Sequence, residues 1–238
     1  MSLDILGLVP ARGGSLRVPD KNLAEVGGRS LVTRALETAV AARRLSAVVL
    51  SSDDSRILDE GARVDGVTLV RRPSALATAT ANSHSAVVHA LEELERERGA
   101  QFDAVALMQC TSPFTEPGDI DGAIELMERT AANSVFSVNQ LDYVYHPEKL
   151  RVLEGDRLVP YQGQNQLRAS HELPALWVTN GSVYVTRRET IEGGSLVSDD
   201  LHGYRMPGER SLDINTVRDL EFARFLAEGI HDRGEPVV

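Results

Sequence analysis

The residues best suited to chemistry lie in a loop that follows the first apolar run of the chain. Residues 10–22 read PARGGSLRVPDKN, so two adjacent glycines stand among three cations, Arg12, Arg17 and Lys21. Adjacent glycines let the backbone turn sharply and direct its amides into a cavity at the carboxyl end of a sheet. Amides and cations together are the groups that bind a triphosphate. The loop has neither the GxxxxGK[S/T] nor the GxGxxG pattern, and the alternative interpretation is an ordinary connecting loop with solvated charges.

The amino-acid composition restricts the classes of ligand that this loop can bind. The chain has 238 residues, with 25 Lys and Arg against 35 Asp and Glu, which gives a formal charge of −10. This excess of acid argues against binding to nucleic acid or to an anionic membrane, so a polyanion needs a local basic pocket. The one cysteine, Cys110, excludes a disulfide framework and a cysteine-based zinc site. Because no apolar run has the length of a membrane span and no signal segment opens the chain, we expect a cytoplasmic protein.

Short apolar runs and helical stretches alternate through the first half of the chain. The pattern predicts strands at 4–10, 47–51, 67–70 and 103–109, and helices at 30–43, 55–64 and 83–98. Ser30 is the expected N-cap of the first helix, and Thr115 that of a fourth helix with Pro117 in its first turn. This alternation predicts an α/β fold with a mostly parallel sheet that helices cover on both faces.

The alternation ends after residue 139. Residues 140–178 contain three of the five tyrosines and the only tryptophan, and they show little periodicity. No linker divides the chain, so we expect a single domain over 1–238 with 140–178 as an insertion. Because aromatic surfaces are typical of subunit interfaces, we interpret the insertion as a segment that covers a ligand or contacts another subunit. A strand at 181–186 and a helix at 215–228 follow, the helix with Leu220, Phe222, Ala223 and Leu226 facing inward.

Six motifs in chain order resemble those of the CMP-sugar-acid synthetases, the cytidylyltransferases that activate N-acylneuraminate, related nonulosonates and Kdo. The motifs are the loop at 10–22, RPSALAT at 72–78, LMQCTSP at 107–113, Arg168 with ELP at 172–174, NGSVY at 180–184 and SLDINT at 211–216. The resemblance implies a Rossmann-like three-layer nucleotidyltransferase fold. It also implies Mg²⁺-assisted transfer of CMP from CTP to a sugar acid with release of pyrophosphate, by a homodimer whose inserted segment reaches the neighbouring active site.

The resemblance also assigns roles to individual residues. It implies catalytic roles for Arg12, Lys21 and Asp213. The residues implied for the nucleotide are Ala11, Arg12, Gly13, Gly14, Ser15, Lys21, Asn22, Arg72, Thr80, Ala81 and Ser83. Those implied for the acceptor are Gln109, Thr111, Ser112, Arg168 and Asn180. The planar guanidinium of Arg168 suits a bidentate pair with the acceptor's carboxylate. Arg72 matches the position that reaches the cytosine edge, and the alternative is a surface cation before a turn proline.

The implied metal site departs from the family's pattern. Asp213 and Asn215 are the predicted Mg²⁺ ligands, and Asn215 stands where a second aspartate is usual. Sites for Mg²⁺ on nucleotides use one or two carboxylates with phosphates and waters, so an uncharged amide predicts a weaker or differently built site. Asp53 and Asp54 either compensate for the carboxylate that is missing at position 215 or simply stand at the start of a helix, where acids are favourable. Leu16 stands where many members carry a lysine, so one phosphate contact is missing unless Arg17 replaces it.

Two other functions are compatible with these residues. One is a CTP-dependent cytidylyltransferase for a phosphonate or another small acid, because an acceptor that is already anionic needs no metal to ionise it. The other is a catalytically silent nucleotide-binding homologue, against which the presence of Arg12, Lys21 and Asp213 argues.

Overall fold

Helices and strands alternate along the chain. The computed structural model describes residues 3–78, 82–162 and 168–233. The helices are α1 Leu31–Ala41, α2 Ser55–Gly61, α3 Ser83–Arg98, α4 Pro117–Thr130, α5 Arg188–Glu192 and α6 Val217–Arg233. The strands are β1 Ile5–Pro10, β2 Glu25–Val26, β3 Arg29–Ser30, β4 Ala47–Ser52, β5 Val67–Arg71, β6 Ala104–Met108, β7 Ser134–Gln140, β8 Arg151–Glu154, β9 Arg157–Pro160, β10 Trp177–Arg187 and β11 Leu201–Arg205.

A mostly parallel sheet forms the centre of the fold. Within the described ranges it has seven strands in the order β11-β7-β10-β6-β1-β4-β5. Strand β1 is parallel to both neighbours, with Leu8 in register with Val49 of β4 and Leu107 of β6. Only β10 among these strands runs antiparallel to both of its partners. The predicted α/β fold with a mostly parallel sheet is confirmed.

Apolar side chains cover both faces of this sheet. Ile5 and Val9 of β1 belong to one core cluster, which also contains buried residues of α1, α2, α4 and α6. Leu6 and Leu8 point to the opposite face and pack in a second cluster with buried residues of α3 and with Ile191 of α5. Because successive strand residues face opposite sides, one short apolar run supplies both clusters. The result is three layers with the sheet in the middle.

Local capping explains where the helices begin. Ser30 is the N-cap of α1 as predicted, since its hydroxyl accepts a hydrogen bond from the Thr33 amide at 3.2 Å. The N-cap of α4 is Glu116 and not Thr115. The Glu116 amide donates to Asp119 Oδ2 at 2.9 Å in a capping box, and this moves the start of the helix by one residue.

The last helix differs from its prediction in both start and orientation. Asp219 Oδ2 accepts hydrogen bonds from the amides of residues 215 and 216, so α6 begins only at Val217. Leu220 and Ala223 are buried as expected, but Phe222 is 51% exposed. The inward orientation predicted for Phe222 is wrong because the buried stripe of α6 is narrow, running from Leu220 through Ala223 to Ala227.

The segment 140–178 is built differently from the sheet layers. Its described part contains short 3₁₀ turns and the β8–β9 hairpin, which pairs only with itself. Tyr143, Tyr145, Tyr161 and Trp177 are all exposed. Contact with a second subunit through this segment stays a prediction. No helix in the described ranges has both the length and the apolarity needed to cross a membrane.

Candidate active site

The end of β4 shapes the glycine loop that follows β1. The Ala11 amide donates to the Ser51 carbonyl at 3.0 Å, and the Gly13 amide donates to Asp53 Oδ1 at 2.9 Å. A Cβ on Gly13 would lie 3.0 Å from an Asp54 carboxylate oxygen, so a larger residue would crowd that side chain. Gly14 adopts a φ of 64°, in the left-handed region that favours glycine. The loop therefore turns as its two glycines predict, and Asp53 holds it in place.

The two aspartates after β4 have separate roles. Asp54 is the N-cap of α2, with Oδ1 accepting from the Arg56 amide at 2.9 Å. This contact agrees with the helix-start interpretation of Asp54. Asp53 instead reaches across to the glycine loop, a contact that the sequence analysis did not predict.

A cavity of about 220 Å³ lies beside the loop at the carboxyl ends of β1 and β6. The predicted site residues that line it are Arg12, Ser15, Lys21, Asn22, Arg72, Ser83, Gln109 and Thr111. Residues that line it without having been predicted include Leu76, Asn82 and Cys110. Leu76 and Cys110 lie inside the RPSALAT and LMQCTSP motifs, and their motif positions could have identified them as lining residues. Thr80 and Ala81 lie outside the described residues.

Lys21 lies close enough to Asp213, the predicted catalytic residue and metal ligand, for that carboxylate to influence its charge. Its Nζ donates to the carbonyl of Ile214 at 2.9 Å, which places it beside the loop that carries Asp213. Burial lowers the pKa of Lys21, and the negative charge of Asp213 partly opposes that shift. Asn22 is buried, and its side-chain amide donates to the Arg12 carbonyl at 2.9 Å. Asn22 thus braces the glycine loop.

Arg72 lies inside the fold with only 6% of its surface exposed, so the alternative of a surface cation is wrong. Its Nη2 donates to the Ser51 carbonyl at 2.6 Å, and its Nε donates to the Ser51 hydroxyl at 3.1 Å. Burial lowers the pKa of Arg72, while Asp53 favours its charged form. Cys110 lines the same cavity, and burial raises the pKa of its thiol to about 12.

Only one of the two carboxylate oxygens of Asp213 has a hydrogen-bond partner in the described ranges. Its Oδ2 accepts from the Asn215 side-chain amide at 2.6 Å, whereas its buried Oδ1 has no hydrogen-bond partner within the described ranges. The described residues contain no group of three or more His, Cys, Asp or Glu that could hold a metal ion. One free carboxylate oxygen therefore fits an ion such as Mg²⁺ that takes its other ligands from phosphates and waters. In this arrangement Asn215 orients Asp213 through its amide nitrogen.

Two residues predicted for the acceptor also carry unpaired groups. Thr111 Oγ1 and Ser112 Oγ are buried and have no hydrogen-bond partner in the part of the chain that the structure describes. A Cβ on Gly181 would lie 3.7 Å from Ser112 Oγ and 3.7 Å from Asp213 Cγ. With its φ of 79°, Gly181 brings β10 close to the predicted metal ligand. Together these groups form a polar surface beside Asp213.

Asn180 and Arg168 stand apart from the cavity. Asn180 is 5% exposed, accepts from Ser137 Oγ at 2.6 Å and donates to Ser211 Oγ at 2.9 Å, so it braces β10. Arg168 lies in the inserted segment, where it donates to Glu148 Oε1 at 3.0 Å and to the carbonyl of Glu172 at 2.6 Å. Within one chain the structure does not bring either residue to the lining of the cavity.

Comparisons with known proteins agree with this geometry. The sequence profile of the family described as cytidylyltransferase matches residues 6–192. The chain is 25% identical to the pseudaminic acid cytidylyltransferase of Campylobacter jejuni subsp. jejuni, over 95% of this chain and 97% of that protein. It is 29% identical to the CMP-N,N'-diacetyllegionaminic acid synthase of Legionella pneumophila subsp. pneumophila, over 94% and 96% of the two chains. These matches confirm the predicted family resemblance.

Solved structures share the fold. A CMP:2-keto-3-deoxy-manno-octonic acid synthetase complexed with CTP superposes with a TM-score of 0.68, at 16% identity over 95% of this chain and 99% of that one. The 4-diphosphocytidyl-2C-methyl-D-erythritol synthase of Anaerococcus prevotii has a TM-score of 0.66, at 15% identity over 96% and 100%. At such identities the likeness concerns the fold, and it confirms the predicted nucleotidyltransferase architecture.

The Asp53 contact predicts how the glycine loop responds to substitution. In Asp53→Ala the Gly13 amide loses its acceptor, and we expect its hydrogen exchange to accelerate roughly tenfold to a hundredfold, since a hydrogen bond to a charged group contributes about 1.5–3 kcal/mol. Asp53→Asn retains an acceptor oxygen and should stay near the wild-type rate. The measurement is amide exchange by NMR, with the Ala11 amide as an internal reference. Equal Gly13 rates in all three proteins would contradict this prediction.

Proposed function

Because this chain belongs to the cytidylyltransferase family, a family of nucleotidyltransferases, we propose that it transfers CMP from CTP to a sugar acid of the N-acylneuraminate or nonulosonate type. The observation that carries the proposal is the cavity where Arg12, Lys21 and Arg72 meet in an otherwise acidic chain. The names of the Campylobacter and Legionella relatives support an acceptor of the nonulosonate class.

The reaction exchanges one phosphate bond for another. A hydroxyl oxygen of the acceptor attacks the α-phosphorus of CTP in line and gives up its proton to water. The bond from that phosphorus to the bridging oxygen of the β-phosphate breaks, and pyrophosphate leaves. Negative charge accumulates on the phosphate oxygens, so fixed cations provide most of the catalysis. Arg12 and Lys21 have this role in the proposal. Arg72, held rigidly by Ser51, reads the edge of the cytosine.

Mg²⁺ is the cofactor that we propose for this site. Asp213 would hold it through the carboxylate oxygen that lacks a partner, and Asn215 would keep that carboxylate oriented. The ion would neutralise charge on the triphosphate and on the departing pyrophosphate. Gln109, Thr111 and Ser112, which follow β6 at its carboxyl end, would bind the acceptor's hydroxyls in this proposal.

The proposal includes a homodimer that acts in the cytoplasm. Arg168 and the exposed aromatic side chains share the inserted segment, away from the chain's own cavity. We therefore place Arg168 at the cavity of the partner subunit, where its guanidinium would bind the acceptor's carboxylate. CTP and the sugar acid are the small-molecule partners, and neither nucleic acid nor a membrane is one.

A pyrophosphate-release assay tests the proposed function. The purified chain is incubated with CTP and Mg²⁺ alone, and then with neuraminate, legionaminate, pseudaminate, Kdo or a phosphonate. We expect release only with an acceptor present, and greatest with one of the neuraminate-like acids. If release is greatest with the phosphonate, an acceptor that is compatible with the uncharged Asn215, the proposed acceptor class is wrong and a phosphonate takes its place. Absence of release with every acid, in a chain that still binds CTP, would favour a silent nucleotide-binding protein.

Lys21 should contribute strongly to the catalytic rate constant. We expect Lys21→Ala to lower kcat by roughly two orders of magnitude, as for the loss of one preorganised charge contact, with a smaller effect on CTP binding. Because burial lowers the pKa of Lys21, the free enzyme should lose this charge as pH rises through a value below the ordinary lysine pKa of about 10.4. The kcat/KM for CTP should therefore fall on the alkaline side.

Lys21→Arg is the matched control for this pH dependence. Arginine stays charged across the range, so the alkaline fall should move to higher pH even if the overall rate is lower. An alkaline fall at the same pH in Lys21→Arg would assign it to another group, and near-normal turnover in Lys21→Ala would make Lys21 dispensable.

Arg168 provides a test of the shared site. Arg168→Ala should raise KM for the acid strongly and leave KM for CTP almost unchanged, a loss of about 2–5 kcal/mol for a buried charge contact. Mixing Arg168→Ala with Lys21→Ala subunits under exchange should restore part of the activity, because some heterodimers hold one intact site. If mixing restores nothing while native mass spectrometry shows heterodimers, Arg168 acts within its own chain.

A further inference from the structure

The loop that carries Asp213 is held at its upstream end by a buried ion pair. Arg210 ends a 3₁₀ helix at Gly208–Arg210, three residues before Asp213. Its Nε donates to Asp119 Oδ2 at 3.1 Å and its Nη2 donates to Asp119 Oδ1 at 2.8 Å. The side chains are 14% and 1% exposed, so the fork is almost completely removed from water. Such two-bond pairs fix direction as well as distance.

Asp119 is itself immobilised by the elements around it. Its Oδ2 also accepts from the Glu116 amide at 2.9 Å in the first turn of α4. On the other side lies Tyr204 of β11, whose pKa is raised by burial and by the charge of Asp119. A Cβ on Gly122 would lie 2.5 Å from the Tyr204 ring, so this glycine lets the ring lie directly on α4. The ion pair therefore ties the loop to two rigid elements.

Beyond Arg210, residues 211–215 have neither helix nor strand, and they depend on contacts with distant parts of the chain. Ser211 Oγ accepts from Asn180 at 2.9 Å. The Ile214 amide donates to the Thr111 carbonyl at 2.8 Å, and the Ile214 carbonyl accepts from Lys21. Asp213 thus lies between an upstream anchor at Arg210 and a downstream anchor at Ile214. Without the upstream anchor, the backbone before Asp213 would keep the bond from Asn180 to Ser211, the local turn bonds to Pro207 and Gly208, and the packing of Leu212 against the core, none of which is an ion pair.

We infer that Arg210 and Asp119 are positioning residues that hold the Asp213 carboxylate in place for the metal-bound triphosphate. This inference rests on the proposed function. The polar groups of both side chains are engaged with each other and with Glu116, so we assign both to the loop and not to the substrate. Net stability is a weak reason for a buried ion pair, because desolvation of both charges offsets most of their attraction. Control of geometry is the role that this contact network supports.

The test measures how much a metal ion strengthens CTP binding. The dissociation constant for CTP is determined by calorimetry without acceptor, first with EDTA and then with Mn²⁺, and the ratio of the two values gives the metal enhancement. Arg210→Lys keeps the charge but loses the fork. We expect it to reduce the enhancement about tenfold, or about 1.4 kcal/mol, while the constant in EDTA changes less than about twofold.

A second variant and a matched control complete the test. Asp119→Asn should reduce the enhancement similarly, since an amide cannot pair with both guanidinium nitrogens. Arg188→Lys is the control: Arg188 is 20% exposed and pairs with Glu95 and Glu192, and its amide bonds to Asp103 at the opposite end of β6. It should leave the enhancement unchanged even if it lowers the melting temperature.

The outcomes separate this inference from the proposed function. Unchanged enhancement in folded Arg210→Lys or Asp119→Asn would overturn the positioning role and leave the pair a purely structural contact. A wild-type chain that binds CTP without any metal enhancement would also overturn it. A wild-type chain that binds no CTP would overturn the proposed function itself. An increase in the Mg²⁺ concentration needed for half-maximal pyrophosphate release by Arg210→Lys would support both.

Discussion

The site depends on one buried backbone position, Ile214. Its amide donates to the Thr111 carbonyl and its own carbonyl accepts from the Lys21 ammonium, so segments from the start, the middle and the end of the chain meet at a single residue. Ile214 is completely buried, and its side chain belongs to the same core cluster as α1 and α4. The core therefore determines where the cation of one motif stands relative to the carboxylate of another. Neither motif has the required geometry by itself.

The local charge of the cavity is opposite in sign to the net charge of the protein. The chain is acidic, yet the cavity beside the glycine loop gathers Arg12, Lys21 and Arg72. Burial lowers the pKa of both Lys21 and Arg72, which means that their charged forms are costly when no anion is bound. In the proposed function the nucleotide offsets that cost, with its triphosphate beside Lys21 and its cytosine beside Arg72. Binding energy would then be concentrated at this cavity, while the acidic remainder of the chain repels polyanions.

The sequence predicted the parts of this site that local patterns encode. Adjacent glycines after an apolar strand predicted the loop, and the motif positions of Lys21 and Arg72 predicted their place in the cavity. Contacts between distant residues left no such pattern: the bond from Gly13 to Asp53 and the fork from Arg210 to Asp119 join parts of the chain that only the fold brings together. Strand β11, with its half-buried alternation, was also missed. Phe222 was placed inward because periodicity alone does not give the width of a buried stripe.

The buried state of Cys110 has a practical consequence. This is the only cysteine of the chain, and its thiol, with a pKa of about 12, stays protonated in neutral buffers. A protonated thiol on a residue that is only 3% exposed reacts slowly with maleimides and disulfides. A cysteine introduced at an exposed position would therefore be the only fast-reacting one, without removal of the native residue. Leu16, 81% exposed on the glycine loop, is such a position. A fluorophore or spin label there would report the movement of that loop as nucleotide is added.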